Sequence, residues 1–139
     1  MNIIAATARE SEFIDQKIDQ FNSGQVPFTQ NPTYIYKNYV IKESSKIIAG
    51  INTFVYGWKI LYIGVLFVEE QYRNQHLGSQ LLQHAENEAL TLGCSLSHLD
   101  TFDFQAKDFY LKQGYELFGV LENCPPHHNR YYLKKILGT

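Results

Sequence analysis

The segment "YIGVLFVEEQYRNQHLGSQLLQHAENEAL", residues 62–90, decides the fold of this chain. It runs from an apolar strand through a short turn, which contains Arg73 and Gly78, into an amphipathic helix. The first backbone amides of a helix have no intrahelical acceptor, and the helix dipole is positive at that end. The segment therefore predicts a binding site for a phosphate-bearing ligand.

Length and composition limit the classes of protein. A chain of 139 residues is expected to form one domain over residues 1–139. The net charge is -2 and basic residues cluster only at Lys134-Lys135, which argues against a nucleic-acid partner. Charged residues interrupt the N-terminus and no apolar run reaches the length of a membrane span, so we expect no membrane association and a cytoplasmic location. The distant Cys94 and Cys124 are expected to be free thiols.

The first part of the chain predicts a strand, a helix and a hairpin. Residues 3–6 can form a short edge strand, and Thr7 with Glu10 has the spacing of a capping box that starts a helix with one apolar stripe. Gly24 is expected to end that helix, and a loop follows to Pro32. Residues 34–43 and 46–56 then predict a hairpin.

The second part predicts alternating strands and helices. Residues 61–68 are apolar on both faces, which predicts a central strand that is covered on each side. A helix that starts at Leu77 and ends at Gly93 should place the strand over residues 94–101 parallel to it. The remaining elements are a helix over residues 105–113 capped by Asp103, and strands over residues 115–121 and 130–137. This order predicts an α+β domain with a mixed sheet and helices on both faces.

The turn resembles the cofactor loop of the GNAT superfamily of acyl-CoA-dependent N-acyltransferases. The loop pattern is Arg or Gln, two residues, Gly, one residue, then Gly or Ala, and it maps onto Arg73, His76 and Gly78. Two of these positions match, while His76 stands where Gly is usual.

A second motif strengthens the resemblance. It has Ala four residues before Tyr and Gly four residues after it, followed by an aromatic residue; Ala106, Tyr110, Gly114 and Tyr115 fulfil it. Asp103 stands where Asn is common. The element order agrees as well, so the resemblance covers nearly the whole chain, including similarity to a bacterial subgroup of small single-domain members. It implies a mostly antiparallel sheet of six to seven strands with one splayed parallel pair.

The resemblance implies transfer of an acetyl group from acetyl-CoA to a primary amine of a small molecule or peptide, by direct attack in a ternary complex, with CoA as the product and no metal. Pantetheine would lie along the strand at Leu66, Phe67 and Val68. The pyrophosphate would contact Arg73 and the amides of the turn, with the Ser79 hydroxyl as a further donor; the turn residues are Asn74, Gln75, His76, Leu77, Gly78 and Ser79. Tyr110 would protonate the departing thiolate.

The proton acceptor for the amine is open. Glu69, Glu70, His127 and His128 are candidates, and Glu69 is our choice. A zinc site at Cys124, His127 and His128 is a weaker interpretation, since it offers at most three ligands.

Two other functions stay open: an inactive acyl-CoA-binding module of the same fold, and a nucleotide-binding domain unrelated to CoA. Aromatic side chains that could wall an acceptor pocket are Phe28, Tyr34, Tyr36 and Trp58. Homodimers are common in similar folds, and a homodimer is therefore possible.

Overall fold

The computed structural model describes residues 1–138. The helices are α1 (Ala8–Gln25), α2 (Leu77–Thr91) and α3 (Lys107–Lys112), with a short 3-10 turn at Glu70–Tyr72. The strands are β1 (Tyr34–Glu43), β2 (Lys46–Tyr56), β3 (Ile60–Val68), β4 (Leu96–Phe102), β5 (Glu116–Leu121) and β6 (Arg130–Ile136).

The strands form one six-stranded sheet in the order β1-β2-β3-β4-β6-β5. Only β3 and β4 run parallel, because α2 carries the chain back across the sheet between them; the other neighbours are antiparallel. The predicted α+β class with a mostly antiparallel sheet and one parallel pair is confirmed.

The core lies between one face of the sheet and the inner faces of α2 and α3. Leu81, Ala85 and Ala89 follow one another at spacing four on α2 and are buried against the sheet. The largest fully buried apolar side chains come from the central strands and α2: Ile51, Val55, Leu61, Ile63, Leu82, Leu99 and Leu133. Full burial of each such side chain stabilises the fold by about 2 kcal/mol.

The opposite face of β3 is open, so the prediction that both faces are covered is wrong. Val65 and Phe67 are 53% and 51% exposed, and Tyr62 is only half-buried. The only helix on this side is α1, and the partly buried positions of α1 (Asp19, Asn22 and Ser23) all lie in its C-terminal half.

The start of the chain confirms one prediction and corrects another. The capping box is present: the Thr7 amide donates to Glu10 Oε1 at 2.9 Å, and the Glu10 amide donates to Thr7 Oγ1 at 3.2 Å. The predicted strand over residues 3–6 is absent, because no sheet edge pairs with it and Ile3 and Ile4 stand exposed. The apolar stripe of α1 is also exposed: Phe13, Ile14, Ile18 and Phe21. None of the helices in residues 1–138 is long and apolar enough to cross a membrane.

Asp103 does not cap α3, contrary to the prediction. The N-cap position is Ala106, and no side chain caps it. The Asp103 carboxylate instead accepts from the Asn129 amide at 2.7 Å and from His128 Nδ1 at 2.8 Å, so it ties the end of β4 to the loop before β6. Cys94 and Cys124 are free thiols.

Candidate functional site

β3 and β4 separate after half of their length. Their register runs from Ile60 opposite Leu96 to Ile63 opposite Leu99 and ends there, although β3 continues to Val68. The β2–β3 register shifts at the same level, which leaves Gly64 as the extra residue of a β-bulge. The second half of β3 therefore turns away from β4, and its backbone groups on that side have no strand partner.

The turn before α2 contains two residues in the left-handed backbone conformation. Asn74 and His76 both have positive φ, 65° and 62°, and His76 is the N-cap of α2 without a side-chain cap bond. Closely spaced residues of this kind curl the backbone so that its N–H groups converge, which favours an anion. Glycine adopts a positive φ without steric cost, which is a physical reason for Gly at the position of His76.

Two polar side chains of the turn are already engaged. Arg73 Nε donates to the Val68 carbonyl at 3.0 Å and ties the turn to the end of β3. The Ser79 hydroxyl donates to the His76 carbonyl at 3.0 Å. Its single proton is used there, so Ser79 would have to rotate its hydroxyl to donate to a ligand, and its role as a further donor stays a prediction.

A groove of about 910 Å³ joins the end of β3, the turn, and the α3 region. Every residue predicted to bind the cofactor except Gln75 lines it: Leu66, Phe67, Val68, Arg73, Asn74, His76, Leu77, Gly78, Ser79 and Tyr110. The opposite wall comes from the segment around α3, of which only Tyr110 was predicted to contact the cofactor; it also includes Phe104, Gln105, Ala106, Phe109, Lys112 and Gln113.

Gly78 lines this groove between Val68 and Phe109. A Cβ built on it would stand 3.5 Å from Phe109 Cζ and 3.8 Å from Val68 Cγ2, which is ordinary van der Waals contact. The free protein therefore has room for a larger residue there. A glycine is needed only if a ligand approaches the backbone closely.

Tyr110 is buried in the groove wall with its ring edge-on to Phe109 and Tyr115. Desolvation raises the pKa of its phenol to about 12, so it is protonated at neutral pH. We find no hydrogen bond of this hydroxyl to another of residues 1–138, and the oxygen is not sealed from solvent. A protonated, unpartnered donor thus stands in the wall of the groove.

The open face of the sheet carries a polar cluster that sequence reasoning missed. Tyr62 donates to Asp100 Oδ1 at 2.7 Å, and Arg130 donates to Asp100 Oδ2. Tyr56 and His98 share a hydrogen bond of 2.8 Å. The signal was the alternation along β4, which places His98 and Asp100 on the face opposite the buried Ser97, Leu99 and Thr101.

The predicted proton acceptors lie outside the groove lining. Glu69 is half-buried and its backbone amide donates to the Ile48 carbonyl at 2.9 Å, while Glu70 is exposed. His127 is also exposed. The His128 ring meets Phe104 edge-on at 5.3 Å, and so touches a residue of the groove wall.

The remaining predictions concern a zinc site and an aromatic acceptor pocket. In residues 1–138, Cys124, His127 and His128 do not form a ligand group for a metal ion. Of the aromatic residues considered for an acceptor pocket, Phe28, Tyr34 and Trp58 line a second cavity of about 180 Å³, whereas Tyr36 is 68% exposed beside Phe54.

A splayed parallel strand pair beside a helix-start loop defines a domain that can hold a long ligand with an anionic end. The sequence profile of the acetyltransferase (GNAT) family matches residues 4–115. The chain belongs to this family and is an acetyltransferase.

Individual relatives agree with this assignment. A blasticidin-S acetyltransferase of Streptomyces morookaense is 34% identical over 107 residues, 76% of this chain and 78% of that protein. The crystal structure of an acetyltransferase from Bacillus cereus superimposes with a TM-score of 0.88 at 34% identity, over 98% of this chain and 97% of the other. An aminoglycoside 6'-N-acetyltransferase complexed with coenzyme A shares the fold, with a TM-score of 0.68 at 18% identity over 99% and 98% of the two chains.

Proposed function

We propose that this single domain transfers the acetyl group of acetyl-CoA to a primary amine of a small molecule, by direct attack in a ternary complex. The observation that carries the proposal is the groove, in which the splayed half of β3, the amides at the start of α2 and the Tyr110 hydroxyl meet. The amine class is supported by the blasticidin-S and aminoglycoside acetyltransferases among the relatives.

The proposed contacts involve the pyrophosphate, the pantetheine and the thioester of the cofactor. The converging amides around Asn74 to Gly78 would hold the pyrophosphate, and the remaining guanidinium N–H groups of Arg73 would add charge-assisted hydrogen bonds. The unpaired backbone of Leu66 to Val68 would hydrogen-bond the pantetheine amides in the manner of an added strand. A backbone N–H of the same segment would stabilise the charge that develops on the thioester oxygen.

Proton movement completes the reaction. As the amine nitrogen bonds to the carbonyl carbon and the carbon–sulfur bond breaks, Tyr110 would give its proton to the departing sulfur, and solvent would restore it. The amine must lose one proton. We keep Glu69 as a candidate acceptor and add His98, because it lies on the open face one residue before the last β3–β4 pair. Burial lowers the pKa of His98, so its ring is neutral and able to accept a proton at neutral pH.

Two experiments test the proposal. Thermal-shift titrations with acetyl-CoA, CoA and ATP identify the ligand, because only a compound that prefers the native state raises the melting temperature. Thiol release from acetyl-CoA is then measured across nucleoside antibiotics, aminoglycosides, polyamines, amino acids and peptides. Stabilisation by CoA compounds without thiol release from any amine would favour an inactive binding module; stabilisation by ATP alone would remove CoA from the proposal.

We also propose that the chain can form a homodimer. The exposed stripe on α1 supplies an apolar surface, and such stripes are usually covered in an assembly. Light scattering on the wild type and on Phe13→Lys checks this: a dimer that becomes a monomer in the variant is expected, and a monomeric wild type contradicts it.

A further inference from the structure

The second cavity lies on the open side of the sheet, between the C-terminal half of α1 and the tip of the β2–β3 hairpin. Its volume is about 180 Å³. Half of the residues that line it are aromatic: Phe28, Tyr34, Tyr56 and Trp58. Asp19 and Asn22 close it from α1. The cavity is separate from the groove, since the two share no lining residue.

Hydrogen bonds of Gln30 connect the two segments that carry the aromatic wall. The Gln30 amide nitrogen donates to the carbonyls of Pro32, Thr33 and Val55, while its oxygen accepts from the Lys59 amide at 2.9 Å. These bonds fix the loop before β1 to the β2–β3 turn. The cavity is therefore formed before any ligand enters, which reduces the ordering cost of binding.

The aromatic ring of Trp58 is fixed in the same way. Its Nε1 donates to the Val26 carbonyl at 2.8 Å, and its ring meets Phe28 edge-on at 5.2 Å between centroids. With the indole N–H used by the backbone, the ring offers the cavity an apolar, electron-rich surface. Rings of this kind attract organic cations.

Asp19 gives the cavity its charge. It is half-buried, and no ion pair or hydrogen bond of its carboxylate is found in residues 1–138. No Lys or Arg is among the residues that line the cavity. Desolvation raises the pKa of Tyr34, and the negative charges of Asp19 and Asp15 raise it further, so the potential at this wall is negative. A carboxylate without a bound cation in the wall of an aromatic cavity selects a cation over a neutral or anionic group.

The position of the cavity connects it to the reaction. Tyr56 pairs with Ile60 at the start of β3, four residues before Gly64, where β3 begins to leave β4. At about 3.3 Å per residue this separation is roughly 13 Å. Tyr56 is also hydrogen-bonded to His98, and the centroid of the His98 ring lies 5.2 Å from that of Tyr62. A continuous row of side chains on the open face therefore connects the cavity to the point where β3 and β4 separate.

We propose that this cavity binds a second cationic group of the acceptor, an alkylammonium or guanidinium that lies roughly 13 Å from the amine to be acetylated. The inference rests on the proposed transferase function, because it assigns the far end of the acceptor. It favours elongated acceptors with at least two cationic groups over monoamines.

The binding test uses the only tryptophan of the chain, Trp58, as its reporter. The fluorescence of the protein is titrated with 1-hexylammonium and with 1-hexanol. We expect saturable change with the ammonium alone, and affinity at least tenfold weaker in Asp19→Asn. Glu12→Gln removes one charge from an exposed position of the same helix and serves as the matched control, with unchanged affinity expected. Equal affinities for Asp19→Asn and wild type, or equal responses to the alcohol and the ammonium, overturn the inference.

The kinetic test compares linear diamines with monoamines of the same chain length. In Asp19→Asn we expect KM to rise at least tenfold for the diamines and to stay unchanged for the monoamines, with kcat preserved for both. Turnover with equal KM values in the two proteins overturns the cation subsite and leaves the transferase proposal standing. Asp19-dependent binding of the ammonium without turnover of any amine refutes the transferase proposal instead, and with it the acceptor assignment of the cavity.

Discussion

Replacing Tyr110 with Phe should slow acetyl transfer by about 10²–10³-fold with little effect on the fold, since a positioned general acid contributes a rate factor of this size. The ring would keep its edge contacts with Phe109 and Tyr115, at 5.2 and 5.8 Å between centroids. Within residues 1–138 the hydroxyl makes no hydrogen bond that the change would break. We therefore expect the free energy of unfolding to change by less than about 1 kcal/mol.

The pH dependence of the same variant gives an independent test. Because the pKa of Tyr110 is about 12, the phenol stays protonated across the assay range, and a fall in rate between pH 8 and 10 cannot come from it. The raised pKa also affects stability. The neutral phenol is favoured by folding, so this contribution is complete below about pH 10, the pKa of an unfolded tyrosine, and is lost as the pH rises towards 12. The fall in the free energy of unfolding over this pH range is at most about 3 kcal/mol. Phenylalanine has no ionisable group, so Tyr110→Phe should not show this fall and should unfold less readily at alkaline pH than the wild type.

The assays are thiol release under saturating acceptor, calorimetric titration with CoA, and thermal unfolding from pH 7 to 11. Tyr36→Phe is a matched control, because it removes a phenol hydroxyl from a side chain that is 68% exposed and lies outside the groove lining; its rate should match that of the wild type. An unchanged kcat in Tyr110→Phe would refute the role of proton donor. A parallel loss of CoA affinity and melting temperature would show that the hydroxyl supports packing rather than chemistry.

Three further substitutions have distinct expected results. Gly78→Ala should leave the melting temperature unchanged, because the new Cβ would lie 3.5 Å from Phe109, an ordinary van der Waals contact. The same change should weaken CoA binding about 10- to 100-fold in calorimetric titrations, which corresponds to the loss of one charge-assisted hydrogen bond. An unchanged CoA affinity would contradict a close approach of the ligand to this backbone. His76→Gly should raise the free energy of unfolding by about 1 kcal/mol in urea titrations, because it relieves a positive φ of 62°; a decrease would show that the imidazole stabilises the turn. Glu86→Ala should lower the free energy of unfolding by about 3 kcal/mol, because Lys135 Nζ, 2.9 Å from the buried carboxylate, loses its charged partner. A melting temperature within 2 °C of the wild type would mean that the ion pair is solvated.

The sequence was most informative where local and tertiary preferences agree. The hairpin strands at residues 34–43 and 46–56 were predicted with their observed bounds, because β-branched and aromatic residues flank the polar Ser44-Ser45 pair. The residues of the groove's first wall are close in sequence, so a strand–turn–helix pattern was enough to bring them together. The errors came from local signals without a tertiary partner, such as the apolar run at residues 3–6.

The remaining parts of the site depend on contacts between distant segments. Asp103 has the residue type of a helix cap, yet two donors from the loop before β6 occupy its carboxylate. His98 and Asp100 were assigned only to a strand, and their partners Tyr56 and Arg130 are 42 and 30 residues away. The second cavity needs α1, a loop and a hairpin tip at once. The alternation along β4 indicates the face that His98 and Asp100 share, but no periodicity or spacing within one segment identifies their distant partners or the second cavity.

The cofactor-loop pattern of the family has glycine at the positions of residues 76 and 78, and the physical reason for glycine differs between the two positions. At residue 76 the structure requires a left-handed backbone conformation, and His76 adopts it at φ 62° while it keeps its backbone N–H group. At residue 78 the backbone is helical, and the absence of a side chain matters only for a ligand that approaches from the groove. A residue other than glycine at position 76 therefore lowers the free energy of unfolding, whereas at position 78 it would weaken cofactor binding. The presence of His76 is thus no argument for an inactive protein, and the retained Gly78 is the stronger indication that the groove still holds its cofactor.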